Sequence, residues 1–166
     1  MTNKAEFTRD EWELQTHLPR LAAFRAMAAD EGDAVMSTRE LWAGMKELAQ
    51  AAQGRYVNNP LIQEVALAES QEEDGADVSQ FGWQPGAEPL GDAVVDQALA
   101  TATRVRQVLA AGVPPEEAAE YAAWVLGIAR AAIEAARTGL FGVGGERVTD
   151  REAAFVRDLA AALGAS

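Results

Sequence analysis

Cysteine is absent from this chain of 166 residues, histidine occurs once (His17) and lysine twice (Lys4 and Lys46). Without cysteine there is no disulfide framework, no thiolate metal site and no cysteine nucleophile. A single histidine excludes a zinc site of several histidines. It also excludes a di-iron bundle site, which takes two Glu-x-x-His pairs. Basic side chains number 14 against 26 acidic ones, a formal net charge of −12. Duplex binding is driven by Lys and Arg neutralising phosphates, so no nucleic-acid partner is expected. No stretch approaches the roughly 20 apolar residues of a membrane span. The first fifteen residues lack the apolar core of a signal peptide. These absences leave an acidic protein expected to be soluble and cytoplasmic.

Alanine is abundant, at 36 residues, while tyrosine, phenylalanine and tryptophan together make 11. Alanine is the best helix former and β-branched runs are few, so the composition points to helices. Helix starts are explicit. Thr8 with Glu11 forms a capping box, and Phe7 with Trp12 the matching hydrophobic staple. Pro19 predicts a break, giving a short helix over about 9–17, ended by His17, and another over about 19–29. Ser37 with Glu40, flanked by Met36 and Leu41, opens a helix that Gly54 is placed to terminate. Asn59-Pro60 is a cap followed by proline at the first helical position. Asp92 caps a helix over about 93–111, Pro114-Pro115 opens one that runs to about 138, and Thr149 with Glu152 opens the last. Helical spacing puts Tyr121, Trp124, Val125, Ile128 and Ile133 inward in the segment after Pro115, and Phe155, Val156, Leu159 and Leu163 in the last. The expected fold is a single all-α domain over residues 1–166: a compact bundle of six to seven helices with a long acidic central loop, 72–90, and two related halves.

The relation between halves rests on a shared layout of helix, acidic or glycine turn, Ser/Thr-x-x-Glu and helix. It runs from Arg25 through Asp30 to Ser37 and Glu40, and again from Glu134 through Gly139 to Thr149 and Glu152. The pattern A-x-x-A-D-x-G-x-x-x-x-S-x-x-E and the ending GERVTDREAAFVRDLAAALGAS resemble the tellurite-resistance protein B family. The resemblance covers residues 25–49 and 146–165, under half of the chain. It implies an all-helical fold of two related halves, no catalysis, a link to metal and other chemical stress, and action with protein or membrane partners. Carried onto this chain, the acidic turn falls on Asp30, Glu31 and Asp33, and the helix-start acid on Glu40. In the second half Glu146, Asp150 and Glu152 correspond. The sequence departs there, with Gly142-Val143-Gly144-Gly145 in place of a compact Asp-Gly turn.

Other chemistry finds little support. A calcium loop takes acids at alternating positions with a closing Glu at the twelfth, and Asp30, Gly32, Ala34 and Met36 do not supply them. A looser Ca²⁺ or Mg²⁺ site at Asp30, Asp33 and their neighbours is the one metal option. The alternative is a solvated turn whose charge favours the next helix N-terminus. The glycines at 139–145 lack the Gly-Lys-Ser/Thr of a phosphate loop and read as a connector. Arg104, Arg106, Arg130 and Arg137 offer a local basic strip or, for Arg130, a bond to Glu134 four residues on.

The strongest signal is a charge asymmetry. Residues 56–103 contain no Lys or Arg and nine acids: Glu64, Glu69, Glu72, Glu73, Asp74, Asp77, Glu88, Asp92 and Asp96. Phe81 and Trp83 lie inside this stretch, in a segment with no helical periodicity. Long structureless loops tend to be functional or disordered, and aromatics are unusual in a disordered acidic segment. They serve either as a lid packed on the bundle or as anchors for a partner. The expected function is a non-catalytic, stress-related or adaptor role. Glu72, Glu73, Asp74, Asp77, Phe81 and Trp83 would bind a basic protein partner, with a divalent cation at Asp30, Glu31, Asp33 and Glu40 as the lesser expectation and no other cofactor. The alternative is an enzyme or small-molecule binder with a pocket of Trp42, Trp124, Tyr121 and acids. Homodimerisation through an alanine-rich helix face is a third expectation.

Overall fold

The computed structural model describes residues 2–28, 38–71, 92–138 and 150–165. Among them are six α-helices and no strand, after a 3₁₀ turn at Lys4–Glu6. The helices are α1 (Arg9–Ala28), α2 (Thr38–Arg55), α3 (Pro60–Gln71), α4 (Asp92–Gly112), α5 (Pro115–Thr138) and α6 (Asp150–Leu163). The all-α bundle expected from composition and capping is the observed architecture.

Helices α1 and α5 form the central pair, the most extensive packing among the described elements. On one flank α2 and α3 pack together, on the other α4 and α6, and every flanking helix also touches both central ones. The core follows. Leu18, Leu21 and Ala22 of α1 and Tyr121, Trp124, Val125 and Ile128 of α5 are buried. Leu61, Ile62 and Val65 close one side, and Val105, Leu109, Phe155 and Leu159 the other. Each half of the chain supplies one central helix and one flank, α1 with α2 and α3, and α5 with α4 and α6. One flank follows α1 directly, while the other is drawn from before and after α5. The turns 29–37 and 139–149, on which the relation between halves was read, lie outside the described residues.

The first helix starts as its sequence specifies. The Thr8 amide donates to Glu11 Oε2 at 2.8 Å, and the Glu11 amide donates to Thr8 Oγ1 at 3.3 Å. The Phe7 and Trp12 rings pack with centroids 6.2 Å apart. At α3, Asn59 Oδ1 accepts from the Ile62 amide at 3.1 Å, three residues into the capped end.

Two expectations are corrected. The helix does not break at Pro19. It runs unbroken from Arg9 to Ala28 with Pro19 inside it, and His17 lies within the helix instead of ending it. Proline removes the amide that the carbonyl four residues earlier would take, here that of Gln15. The Tyr121 hydroxyl, from α5, donates to this carbonyl at 2.6 Å. Gly54 does not terminate α2 either. The helix passes through it to Arg55, and the glycine with a left-handed φ among the described residues is Gly164, at φ 72°. At the end of α2 the Gln53 and Tyr56 carbonyls accept the amides of Tyr56 and Asn59, and Gln63 Nε2 of α3 donates to both as well.

Candidate functional site

The residues expected to bind a partner, Glu72, Glu73, Asp74, Asp77, Phe81 and Trp83, lie outside the described residues, as do Asp30, Glu31 and Asp33. Glu40 and Trp42 fall in the first turns of α2, with side chains outside what is described. What is described is the frame from which the acidic segment leaves and to which it returns. It leaves after Gln71, the last residue of α3, and returns at Asp92, the first of α4.

The frame at α3 is held by polar contacts to four different elements. Asn59, buried at the cap, donates from Nδ2 to the Glu117 carbonyl at 3.0 Å and to Glu120 Oε2 at 2.9 Å, tying the start of α3 to α5. Gln63 bonds the end of α2, and Gln53 Nε2 donates to Gln63 Oε1 at 3.1 Å in return. Glu64 Oε2 accepts from the Lys4 amide at 2.6 Å, fastening the N-terminal turn. In the last turn, Glu69 Oε2 takes Arg20 Nε at 2.5 Å. That ion pair is buried, with side-chain exposures of 2% for Arg20 and 10% for Glu69. Apolar burial of Leu61, Ile62, Val65 and Ala66 supplies the driving force. The polar contacts select one docking of the helix among those the apolar face would allow.

Two of the nine acids of 56–103 therefore have partners within the fold, Glu64 in an exposed bond to a backbone amide and Glu69 in a buried pair with a guanidinium. Asp96 on α4 is exposed. Sequence spacing could not separate these groups, because the partners of Glu64 and Glu69 lie 60 and 49 residues away along the chain.

Glu69 also acts on Tyr121. Burial pushes the Tyr121 hydroxyl well above its ordinary pKa, and the Glu69 charge adds to the effect. Tyr121 is thus a neutral hydrogen-bond donor, and its hydroxyl is engaged with the Gln15 carbonyl. Its ring meets that of Trp124 edge-on, with centroids 5.8 Å apart. Both rings belong to the core between α1 and α5, not to an exposed groove. Among the described residues no group of three or more His, Cys, Asp or Glu could hold a metal ion, and no helix is long and apolar enough to cross a membrane. Comparison with protein-family models, with curated proteins and with solved structures gives no match. The class of the molecule is accordingly defined by its fold alone, an all-α bundle with a central helix pair and two flanking pairs.

Proposed function

We propose that this chain is a non-catalytic adaptor that binds a basic protein partner through the acidic segment between α3 and α4. Glu72, Glu73, Asp74 and Asp77 provide the attracting field, and Phe81 and Trp83 the anchors. The observation that carries this reading is the 48-residue run from Tyr56 to Thr103 with nine acids and no Lys or Arg. Glu69 is spent on a buried ion pair, which leaves eight acids of this run to attract a partner. A field of one sign steers an oppositely charged partner, and buried aromatics supply most of the binding energy at such interfaces. The stress-related role and a divalent cation at Asp30, Glu31, Asp33 and Glu40 rest on the family resemblance and belong to this reading as its lesser part.

Two variants test it. One neutralises the acids (Glu72→Gln, Glu73→Gln, Asp74→Asn, Asp77→Asn), and the other removes the anchors (Phe81→Ala, Trp83→Ala). Both are expected to keep the melting temperature of the parent chain and to lose capture of basic proteins. Capture by the parent chain is expected to weaken as salt is raised, since exposed charges are screened beyond about 8–10 Å at physiological ionic strength. Undiminished capture by both variants would refute the proposal. A large loss of stability in the second would show that the aromatics form a lid.

A further inference from the structure

The same two helices that build the core carry a device that reaches the exit of the acidic segment. Pro19 leaves the Gln15 carbonyl without its helical amide, in a buried turn of α1. Tyr121, fully buried on α5, donates its hydroxyl to that carbonyl at 2.6 Å. Arg20, the residue after the proline, reaches Glu69 in the last turn of α3. Glu69 lies two residues before Gln71, where α3 ends and the acidic segment leaves.

We infer that Pro19 and Tyr121 act as one positioning unit, in which the cross-helix hydroxyl replaces the deleted amide and fixes the turn of α1 that aims Arg20 at Glu69, so that α5 sets where α3 ends. The pieces fit physically. A buried carbonyl left unpaired is costly, so the gap in the α1 ladder has one favourable partner and one geometry. Arg20 follows the proline directly, so the orientation of this turn is passed to its guanidinium within one residue. A buried ion pair adds little net stability but strongly penalises mispairing, which suits it to fixing the register of a helix. Tyr121 is a positioning residue here, and the inference does not rest on the proposed function.

The test is a double-mutant cycle of Tyr121→Phe and Pro19→Ala in the full chain, read by amide hydrogen exchange. With Pro19 present, Tyr121→Phe is expected to speed exchange in the last turn of α3, Leu67–Gln71, by about tenfold, with a smaller change at Val105–Leu109 of α4. Pro19→Ala restores a backbone amide that can serve the Gln15 carbonyl. In that background Tyr121→Phe is expected to change exchange in the same turn by no more than about twofold. Equal effects in both backgrounds, or no effect on α3, would overturn the inference. If Tyr121→Phe fails to fold alone but folds when combined with Pro19→Ala, the rescue supports it. Failure to fold in both backgrounds overturns it.

Discussion

Glu11 and Gly164 show how much a single position contributes when its geometry is specific. The Glu11 carboxyl is held below its ordinary value of 4.5, first by the Thr8 amide and then by the Thr8 hydroxyl. A folded-state pKa lowered in this way contributes stability above the unfolded value and loses it as pH falls through the folded one. The gap in urea midpoint between the parent chain and Glu11→Gln is therefore expected to be full well above pH 4.5 and to close as pH falls below it. A gap that does not vary with pH would contradict the cap assignment. Gly164 ends α6 in a Schellman arrangement. Its own amide donates to the Ala161 carbonyl, and the Ala165 amide to that of Ala160. A Cβ at Gly164 would lie 2.8 Å from Arg106 Nε, on α4. Gly164→Ala is expected to cost about 1–2 kcal/mol from the left-handed φ, the exposed Arg106 side chain being free to swing aside. Chemical denaturation of the variant measures it.

Among the elements, α1 departs most from what its own sequence suggests. Taken locally, Pro19 predicts two helices, because the lost hydrogen bond and the ring clash count against continuity. The helix survives because a hydroxyl 106 residues away along the chain makes up the bond. Helix α3 is short and is keyed by Asn59, Gln63, Glu64 and Glu69 to four neighbours. Removing one member of its buried ion pair strands the other charge. Arg20→Met and Glu69→Leu are thus each expected to destabilise by about 3–5 kcal/mol, and the double substitution by clearly less than their sum. Thermal or urea unfolding of the three variants checks this. A double variant as unstable as the sum of the singles would show that the pair is not coupled.

At the scale of the whole molecule, nine of the 26 acids fall in 56–103, a run without Lys or Arg. Glu69 is buried in the fold, and Glu72, Glu73, Asp74 and Asp77 carry the proposed partner surface. The charge-neutralising and aromatic variants, with salt dependence, test that surface as a unit. The helices themselves were legible because they are local. Thr8-x-x-Glu11, Asn59-Pro60 and Pro114-Pro115 mark starts within four residues. The apolar spacing of α5 and α6 also matches their buried faces at Tyr121, Trp124, Val125, Ile128, Phe155 and Leu159.

Sequence alone determined the helical class, most helix boundaries and the concentration of acid, since capping, periodicity and charge are properties of neighbouring residues. The tertiary structure decided that Glu69 is structural and why α1 continues through a proline. Each of these depends on a hydrogen-bond partner from a separate element, and such a partner leaves no trace in local spacing.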